Sequence, residues 1–138
     1  MESSDDYRRG RHVVSAMHVH LVFTPKYRRK VFDDAMLTCC EQAMRTVCSD
    51  FDATLVEFNG EEDHVHLLVE YPPKVAVSTM VNSLKGVSAR RLRQDFTGQI
   101  NRASMRGRFW SPSYFAASCG GAPLSIIKAY VEQQRRPT

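Results

Sequence analysis

The stretch DHVHLLVEY, residues 63–71, carries the clearest pattern in the chain. Its apolar residues alternate with polar ones, which is the period of a β-strand with one buried face. His64 and His66 are two residues apart, so both side chains lie on the same face of that strand. Imidazoles whose Cα atoms are about 6.5–7 Å apart can converge on one divalent cation. From this triplet alone, metal binding is only slightly favoured over two histidines on a solvated face.

Strands and helices follow one another in a regular order on both sides of this stretch. Alternating apolar and polar residues predict four β-strands, over 15–24, 53–59, 63–71 and 110–118. Apolar residues spaced three to four apart predict three helices, over 33–49, 76–96 and 123–135. We interpret Asn59-Gly60 as the turn of a hairpin and 97–107 as a polar loop. The order predicts an α+β fold: a ferredoxin-like split βαβ core with an antiparallel sheet and an added C-terminal helix.

The composition fits a soluble domain of ordinary size. The chain has 138 residues, of which 43% are hydrophobic and 25% are charged. We predict a flexible arm over 1–11 and a single domain over 12–138. No apolar run approaches the roughly 18 residues of a membrane span, and the polar start carries no hydrophobic signal region, so we expect a cytoplasmic protein. The four cysteines have neither a zinc nor a disulfide spacing, which favours buried, reduced thiols.

The charge distribution favours a nucleic-acid partner. The net charge is +4, and basic residues cluster in three places with aromatic residues among or beside them. Cations next to rings that can stack on bases are typical of surfaces that bind single-stranded nucleic acid. For any one cluster, a solvated face is the simpler explanation. The residues that we predict to contact DNA are Lys26, Arg28, Arg29, Lys85, Arg90, Arg91 and Trp110.

The last predicted helix places Tyr130 and Gln134 four residues apart, on the same side. A tyrosine phenolate is a competent nucleophile on phosphorus, and a glutamine oxygen can bind a hard cation. Without further context, a tyrosine beside an apolar stripe is more often a residue at the edge of the core. A second histidine pair, His18 and His20 in the first strand, competes on spacing alone with the pair at 64 and 66.

Five segments in this order resemble the single-tyrosine HUH transposases of the smallest bacterial and archaeal insertion sequences, the TnpA group. They are 18–32 (HVHLVFTPKYRRKVF), 63–68 (DHVHLL), 83–90 (SLKGVSAR), 109–114 (FWSPSY) and 127–134 (IKAYVEQQ). The resemblance implies that Tyr130 is the nucleophile. It also implies that His64 and His66 form the HUH motif and that Gln134 is the third ligand of Mg²⁺ or Mn²⁺. For His18 and His20 a structural or nucleic-acid-facing role is favoured.

The resemblance also implies a reaction and its partners. Members of this family cut and rejoin single-stranded DNA at insertion-sequence ends through a 5′-phosphotyrosine link, and they recognise subterminal hairpins. They work as homodimers in which one chain can complete the active site of the other. Two other functions stay open at this point. One is a domesticated relative that binds hairpin DNA without strand transfer, and the other is a metal-dependent phosphodiesterase that uses water.

Overall fold

The computed structural model describes residues 16–103, 107–119, 129 and 131–133. In chain order these residues form β1 (Met17–Phe23), α1 (Asp34–Asp50), β2 (Thr54–Glu61), β3 (His64–Tyr71), α2 (Val77–Asp95), α3 (Thr97–Arg102) and β4 (Phe115–Ser118). The four strands form one antiparallel sheet in the order β2-β3-β1-β4. β3 therefore has a hydrogen-bonded neighbour on each side. This order confirms the predicted ferredoxin-like α+β core.

The two long helices cover one face of the sheet. The apolar residues of β1 at 19, 21 and 23 are buried, whereas His18, His20 and Val22 on the other face are partly exposed, as their alternation predicts. Residues of α1 and α2 join the buried face in the main core. α1 begins after Asp33, whose side chain accepts a hydrogen bond from the backbone N–H of Met36 at 2.9 Å. This cap satisfies one of the free N–H groups at the start of the helix.

The hairpin between β2 and β3 turns at Glu62-Asp63, and the predicted turn at Asn59-Gly60 is wrong. Gly60 is buried within β2 and pairs with Val65 of β3. A Cβ atom at this position would lie 2.6 Å from the carbonyl oxygen of His64. The glycine therefore marks a close approach of two backbones inside the sheet, not the end of a strand.

β2 also contains an irregularity that its sequence pattern did not indicate. Its register against β3 shifts between Leu55 and Glu57, as at a β-bulge. A bulge adds one residue to one strand and changes which side chains share a face. Leu55 and Phe58 are consequently the buried side chains before Gly60 in this strand, in place of the simple alternation of Thr54, Val56 and Phe58.

Two other predicted segments differ from the structure. The polar loop over 97–107 contains the short helix α3, whose Ile100 is only 1% exposed and so joins the core. The predicted strand over 110–118 is shorter, because only Phe115–Ser118 pairs with β1. Trp110 forms an isolated bridge with Pro25. The carbonyl groups of residues 111–113 accept hydrogen bonds from a lysine side chain and are not part of the sheet.

The predicted arm over 1–11 lies outside the described residues, and the domain limits 12–138 stay a prediction. Of the predicted C-terminal helix, Ala129 and residues 131–133 are described. The backbone N–H of Gln133 donates to the carbonyl of Ala129 at 3.1 Å, which is the hydrogen bond of an α-helical turn. Val131 is fully buried. Among the described residues, no helix is both long and apolar enough to cross a membrane.

All four cysteines are buried, and none forms a disulfide. Cys40 and Cys48 lie in α1 and are fully buried. Burial raises the pKa of the Cys48 thiol to about 11, so the unreactive thiol form dominates at neutral pH. The structure confirms that the thiols are buried, and their reduced state stays a prediction.

Candidate active site

His64 and His66 lie at the start of β3, on the face of the sheet opposite α1 and α2. Their ring centroids are 4.8 Å apart, and the ring planes are nearly perpendicular at 78°. His66 is 6% exposed, whereas the side chain of His64 keeps 16% of its accessible surface. The structure thus brings together the two histidines that the strand spacing predicted on one face.

Asp63 holds His64 in place. Nδ1 of His64 lies 2.8 Å from one carboxylate oxygen of Asp63, and the other oxygen accepts a hydrogen bond from Arg28 at 3.2 Å. The hydrogen bond with His64 lowers the pKa of Asp63 below its usual value, and the charge of Arg28 adds to this against the effect of burial. An ionised carboxylate only accepts hydrogen bonds, so Nδ1 of His64 is the donor. In the neutral ring, Nε2 then carries the lone pair that can bind a metal.

His20 holds His66 in a similar way. Nε2 of His20 lies 3.0 Å from Nδ1 of His66, and the two rings are nearly parallel, with centroids 5.2 Å apart. Phe115 of β4 packs edge-on against His20 at a centroid distance of 6.0 Å. Burial lowers the pKa of His20, which favours its neutral form. A neutral His20 can accept at Nε2 the hydrogen bond that Nδ1–H of His66 donates.

The pair fits two positions of a metal site. Metal-binding histidines in proteins almost always donate their second ring nitrogen to a neighbouring group, and both of these histidines have such a neighbour at Nδ1. Imidazole nitrogen suits the transition-metal ions better than it suits Mg²⁺. Within the described part of the chain, no group of three or more His, Cys, Asp or Glu side chains could hold a metal ion. Gln134, the predicted third ligand, and Tyr130, the predicted nucleophile, lie outside the described residues.

Two residues beside this pair were not recognised as its partners from the sequence. Asp63 was part of the quoted motif without a role, and its position directly before His64 was the available signal. His20 was placed in the first strand with no link to His66. That link depends on strand pairing. Val22 of β1 lies opposite His66, and His20 is two residues before Val22 on the same face of β1. The order of strands in a sheet cannot be read from alternation within one strand.

His18 lies away from the pair. Its Nε2 atom is 3.4 Å from a carboxylate oxygen of Glu70, the residue opposite it on β3. The two atoms lie within ion-pair distance, but they do not form a hydrogen bond, because Nε2 of His18 has no hydrogen-bond partner. The structural or nucleic-acid-facing role that we favoured for His18 stays a prediction.

Three of the predicted DNA contacts lie on the loop after β1. Arg28 and Arg29 are exposed, and Lys26 is partly exposed. Arg28 differs from the other two because its guanidinium is paired with Asp63. In α2, Arg90 and Arg91 are also exposed, and Arg91 lies 3.3 Å from Asp95 one turn later. Contact of these side chains with phosphate stays a prediction.

Lys85 and Trp110 have defined partners within the protein. The ammonium group of Lys85 donates to the carbonyl oxygens of Ser111, Pro112 and Ser113 at 2.7, 3.3 and 3.4 Å. Trp110 is 4% exposed, and its indole N–H donates to the hydroxyl of Ser88 at 2.9 Å. The ring of Trp110 therefore belongs to the core and does not present a face on which a base could stack.

Replacement of Lys85 by methionine should lower the free energy of unfolding by about 1–2 kcal/mol, because the apolar stem is kept while the carbonyls of 111–113 lose their donor. Urea unfolding measures this loss. Lys74→Met is the matched control, because Lys74 is 71% exposed in an ion pair with Asp52 and should change stability by less than about 0.5 kcal/mol. Unchanged stability of Lys85→Met, together with a weaker salt dependence of DNA binding, would instead assign Lys85 to phosphate.

The chain is similar to transposases in sequence and in fold. A family profile described as "Transposase IS200 like" matches residues 13–134. The chain is 31% identical over 115 residues to the Salmonella typhimurium transposase for insertion sequence element IS200, covering 83% of this chain and 74% of that protein. It is 28% identical over 129 residues to the ISDra2 transposase TnpA of Deinococcus radiodurans, covering 94% of this chain and 91% of that protein.

Solved structures give the same result. A crystal structure of a candidate transposase from Deinococcus radiodurans R1 superposes with a TM-score of 0.74 at 29% identity, covering 94% of this chain and 98% of that one. A REP-associated tyrosine transposase bound to a REP hairpin superposes with a TM-score of 0.57 at 14% identity, covering 96% of this chain and 69% of that one. The second likeness concerns the fold alone. Because the family profile covers most of its length, the chain belongs to the IS200-like transposase family.

Proposed function

We propose that this transposase cuts and rejoins single-stranded DNA at the ends of an insertion sequence through a covalent link to Tyr130. The phenolic oxygen of Tyr130 attacks the scissile phosphorus and loses its proton. The bond from phosphorus to the 3′ oxygen breaks, and that oxygen takes up a proton to become a free 3′-OH. The product is a 5′-phosphotyrosine. A 3′-OH later attacks the same phosphorus and releases the tyrosine, so no external energy source is needed.

His64, His66 and Gln134 would hold a divalent cation, Mn²⁺ or Mg²⁺, which acts as a Lewis acid toward the scissile phosphate. Asp63 and His20 fix the orientation of the two imidazoles. This arrangement is the single observation that carries the proposal, because a pair of histidines on a solvated face has no need of two oriented partners. Recognition of hairpins at the element ends is proposed as well. It is supported by the fold shared with a transposase that is bound to a hairpin.

A covalent-adduct assay tests the proposal. The purified protein is mixed with labelled single-stranded DNA from the ends of its own element, with Mn²⁺ or Mg²⁺, and separated on a denaturing gel. A metal-dependent shifted band supports strand transfer through the protein. Cleavage without an adduct would favour a phosphodiesterase that uses water. Hairpin binding without cleavage in either metal would favour a domesticated binding protein.

Asp63→Asn should weaken Mn²⁺ binding about 10- to 100-fold, because a carboxylate no longer fixes the tautomer of His64. Electron paramagnetic resonance of free Mn²⁺ measures the affinity without DNA. Asp52→Asn is the control, because Asp52 is 66% exposed, pairs with Lys74 and precedes the end of β2 that lies opposite Glu70, away from the end opposite His64. Equal Mn²⁺ affinity of Asp63→Asn and wild type would exclude Asp63 as a positioning residue.

We propose that the protein acts as a homodimer whose active sites are completed in trans. A mixture of Tyr130→Phe and His66→Ala chains tests this. If one subunit supplies the tyrosine and the other supplies the histidines, the mixed dimer has one complete site and forms the adduct, although neither variant does so alone. Absence of adduct from a mixture that has exchanged subunits would show that each chain uses its own tyrosine.

A further inference from the structure

The loop after β1 presents an aromatic ring to solvent. We define the basic loop as residues 26–30, with the sequence KYRRK. Tyr27 at its tip is 72% exposed. Tyr27 and Arg28 also have positive φ angles of 62° and 51°, a backbone region that residues other than glycine adopt only when their surroundings enforce it. Such outliers are concentrated at functional positions, so the exposed ring needs an explanation.

The basic loop is anchored firmly at its start. The backbone N–H of Lys26 donates to the carbonyl of Phe109 at 2.8 Å, and the N–H of Ser111 donates to the carbonyl of Thr24 at 2.8 Å. The N–H of Arg28 donates to the carbonyl of Pro25 at 2.8 Å, which closes a tight turn around Tyr27. The ring is therefore held outward by backbone contacts to a buried segment, and folding does not depend on covering it.

The basic loop is also tied to the two site histidines. Arg28 donates to Asp63 at 3.2 Å, and Asp63 contacts Nδ1 of His64 at 2.8 Å. The guanidinium of Arg28 is engaged in this tether, which leaves Lys26 and Arg29 as the cations nearest the ring. The ammonium of Lys26 and the guanidinium carbon of Arg29 lie 5.2 and 5.8 Å from the centroid of Tyr27.

An exposed ring with two cations close to it matches the chemistry of a single DNA strand. Bases stack on aromatic side chains, and phosphates on either side of a base attract Lys and Arg. We propose that Tyr27 is the platform on which one unpaired base of the DNA strand stacks beside the metal site. Lys26 and Arg29 bind the phosphates that flank this base, and Arg28 fixes the distance between platform and site. This inference rests on the proposed function, because it takes single-stranded DNA as the partner.

The test uses binding to two fluorescent probes, an oligodeoxythymidylate of about 12 nucleotides and an abasic oligonucleotide of equal length. Stacking contributes enough that Tyr27→Ala should raise the Kd for the first probe about tenfold, whereas Tyr27→Phe should stay within about twofold of wild type. The abasic probe should bind wild type and Tyr27→Ala equally, because it carries phosphates without bases. The salt dependence should be unchanged in Tyr27→Ala and reduced in Lys26→Ala.

Tyr27→Gly separates the ring from the stability of the turn. Glycine adopts positive φ without strain. The melting temperature of Tyr27→Gly should therefore equal or exceed that of wild type, while its Kd for the oligodeoxythymidylate rises as in Tyr27→Ala. Equal Kd values of wild type and Tyr27→Ala, or an equal loss on the abasic probe, would overturn the platform. If Tyr27→Ala loses affinity but wild type forms no adduct, the stacking role of Tyr27 is supported and the proposed strand transfer is contradicted. If wild type forms the adduct and Tyr27→Ala binds normally, only the stacking role of Tyr27 is contradicted.

Discussion

Tyr130→Phe is expected to abolish the covalent protein–DNA adduct, with a loss on the order of 10⁴-fold or more, as for removal of a catalytic nucleophile in other enzymes. Phenylalanine keeps the ring but lacks the oxygen that attacks phosphorus. Binding of the same DNA should stay within about twofold of wild type, because the substitution removes one hydroxyl. A denaturing gel measures the adduct, and fluorescence anisotropy measures binding.

Tyr114→Phe is the matched control for this substitution. Tyr114 is 39% exposed, and its ring packs edge-on against Phe23 with the ammonium of Lys85 5.4 Å from its centroid. Phenylalanine preserves both of these ring contacts, so the adduct should form at the wild-type rate. An adduct that persists in Tyr130→Phe would assign the nucleophile to another group. Cleavage that persists without an adduct would indicate attack by water.

His64→Ala is expected to reduce metal-dependent adduct formation on the order of 10³-fold. Loss of a ligand removes several kcal/mol of stabilisation that the bound cation gives to charge on the phosphate, and each 1.4 kcal/mol is a factor of ten in rate. Mn²⁺ affinity should fall in parallel, which can be measured without DNA. The melting temperature should change little, because His64 keeps part of its surface in solvent.

The chain contains a closely matched control for His64→Ala in His18→Ala. Both residues are histidines on interior strands of the sheet, their side chains are 16% and 23% exposed, and each lies near one carboxylate. If His64 and His66 form the metal site, His18→Ala should leave Mn²⁺ affinity and adduct formation within about twofold of wild type. Equal effects of the two substitutions would show that the result reflects the strand surface and not a metal site.

The sheet could be predicted from the sequence where one strand face is buried and the other is not. In β1, the alternation of Val19, Leu21 and Phe23 with His18, His20 and Val22 gave the correct faces, because the first three join the core to which the helices also contribute. In β2 the same reasoning failed at Gly60 and at the bulge after Leu55. A glycine can mark a turn or a close backbone approach, and only the neighbouring strand decides which one applies.

The candidate site could likewise be predicted only in part from the sequence. Spacing within one strand was enough to place His64 and His66 together. The partner that His20 supplies to His66 depends on strand order, which is a property of the whole sheet. Trp110 illustrates the opposite error. It was predicted to contact DNA because basic residues lie near it in sequence, yet its ring fills the core and its N–H is bound by Ser88.

The four buried cysteines can report local opening of the segments that contain them. Thiol reagents react only with an accessible thiolate, so each cysteine is labelled when its own segment opens. Cys40 and Cys48 are buried residues of α1, whereas Cys119 follows the edge strand β4 and is 8% exposed. Labelling of Cys119 ahead of Cys40 and Cys48 would mean that β4 detaches from β1 while α1 stays folded. The native chain therefore allows the opening of β4 and of α1 to be timed separately, without any engineered probe.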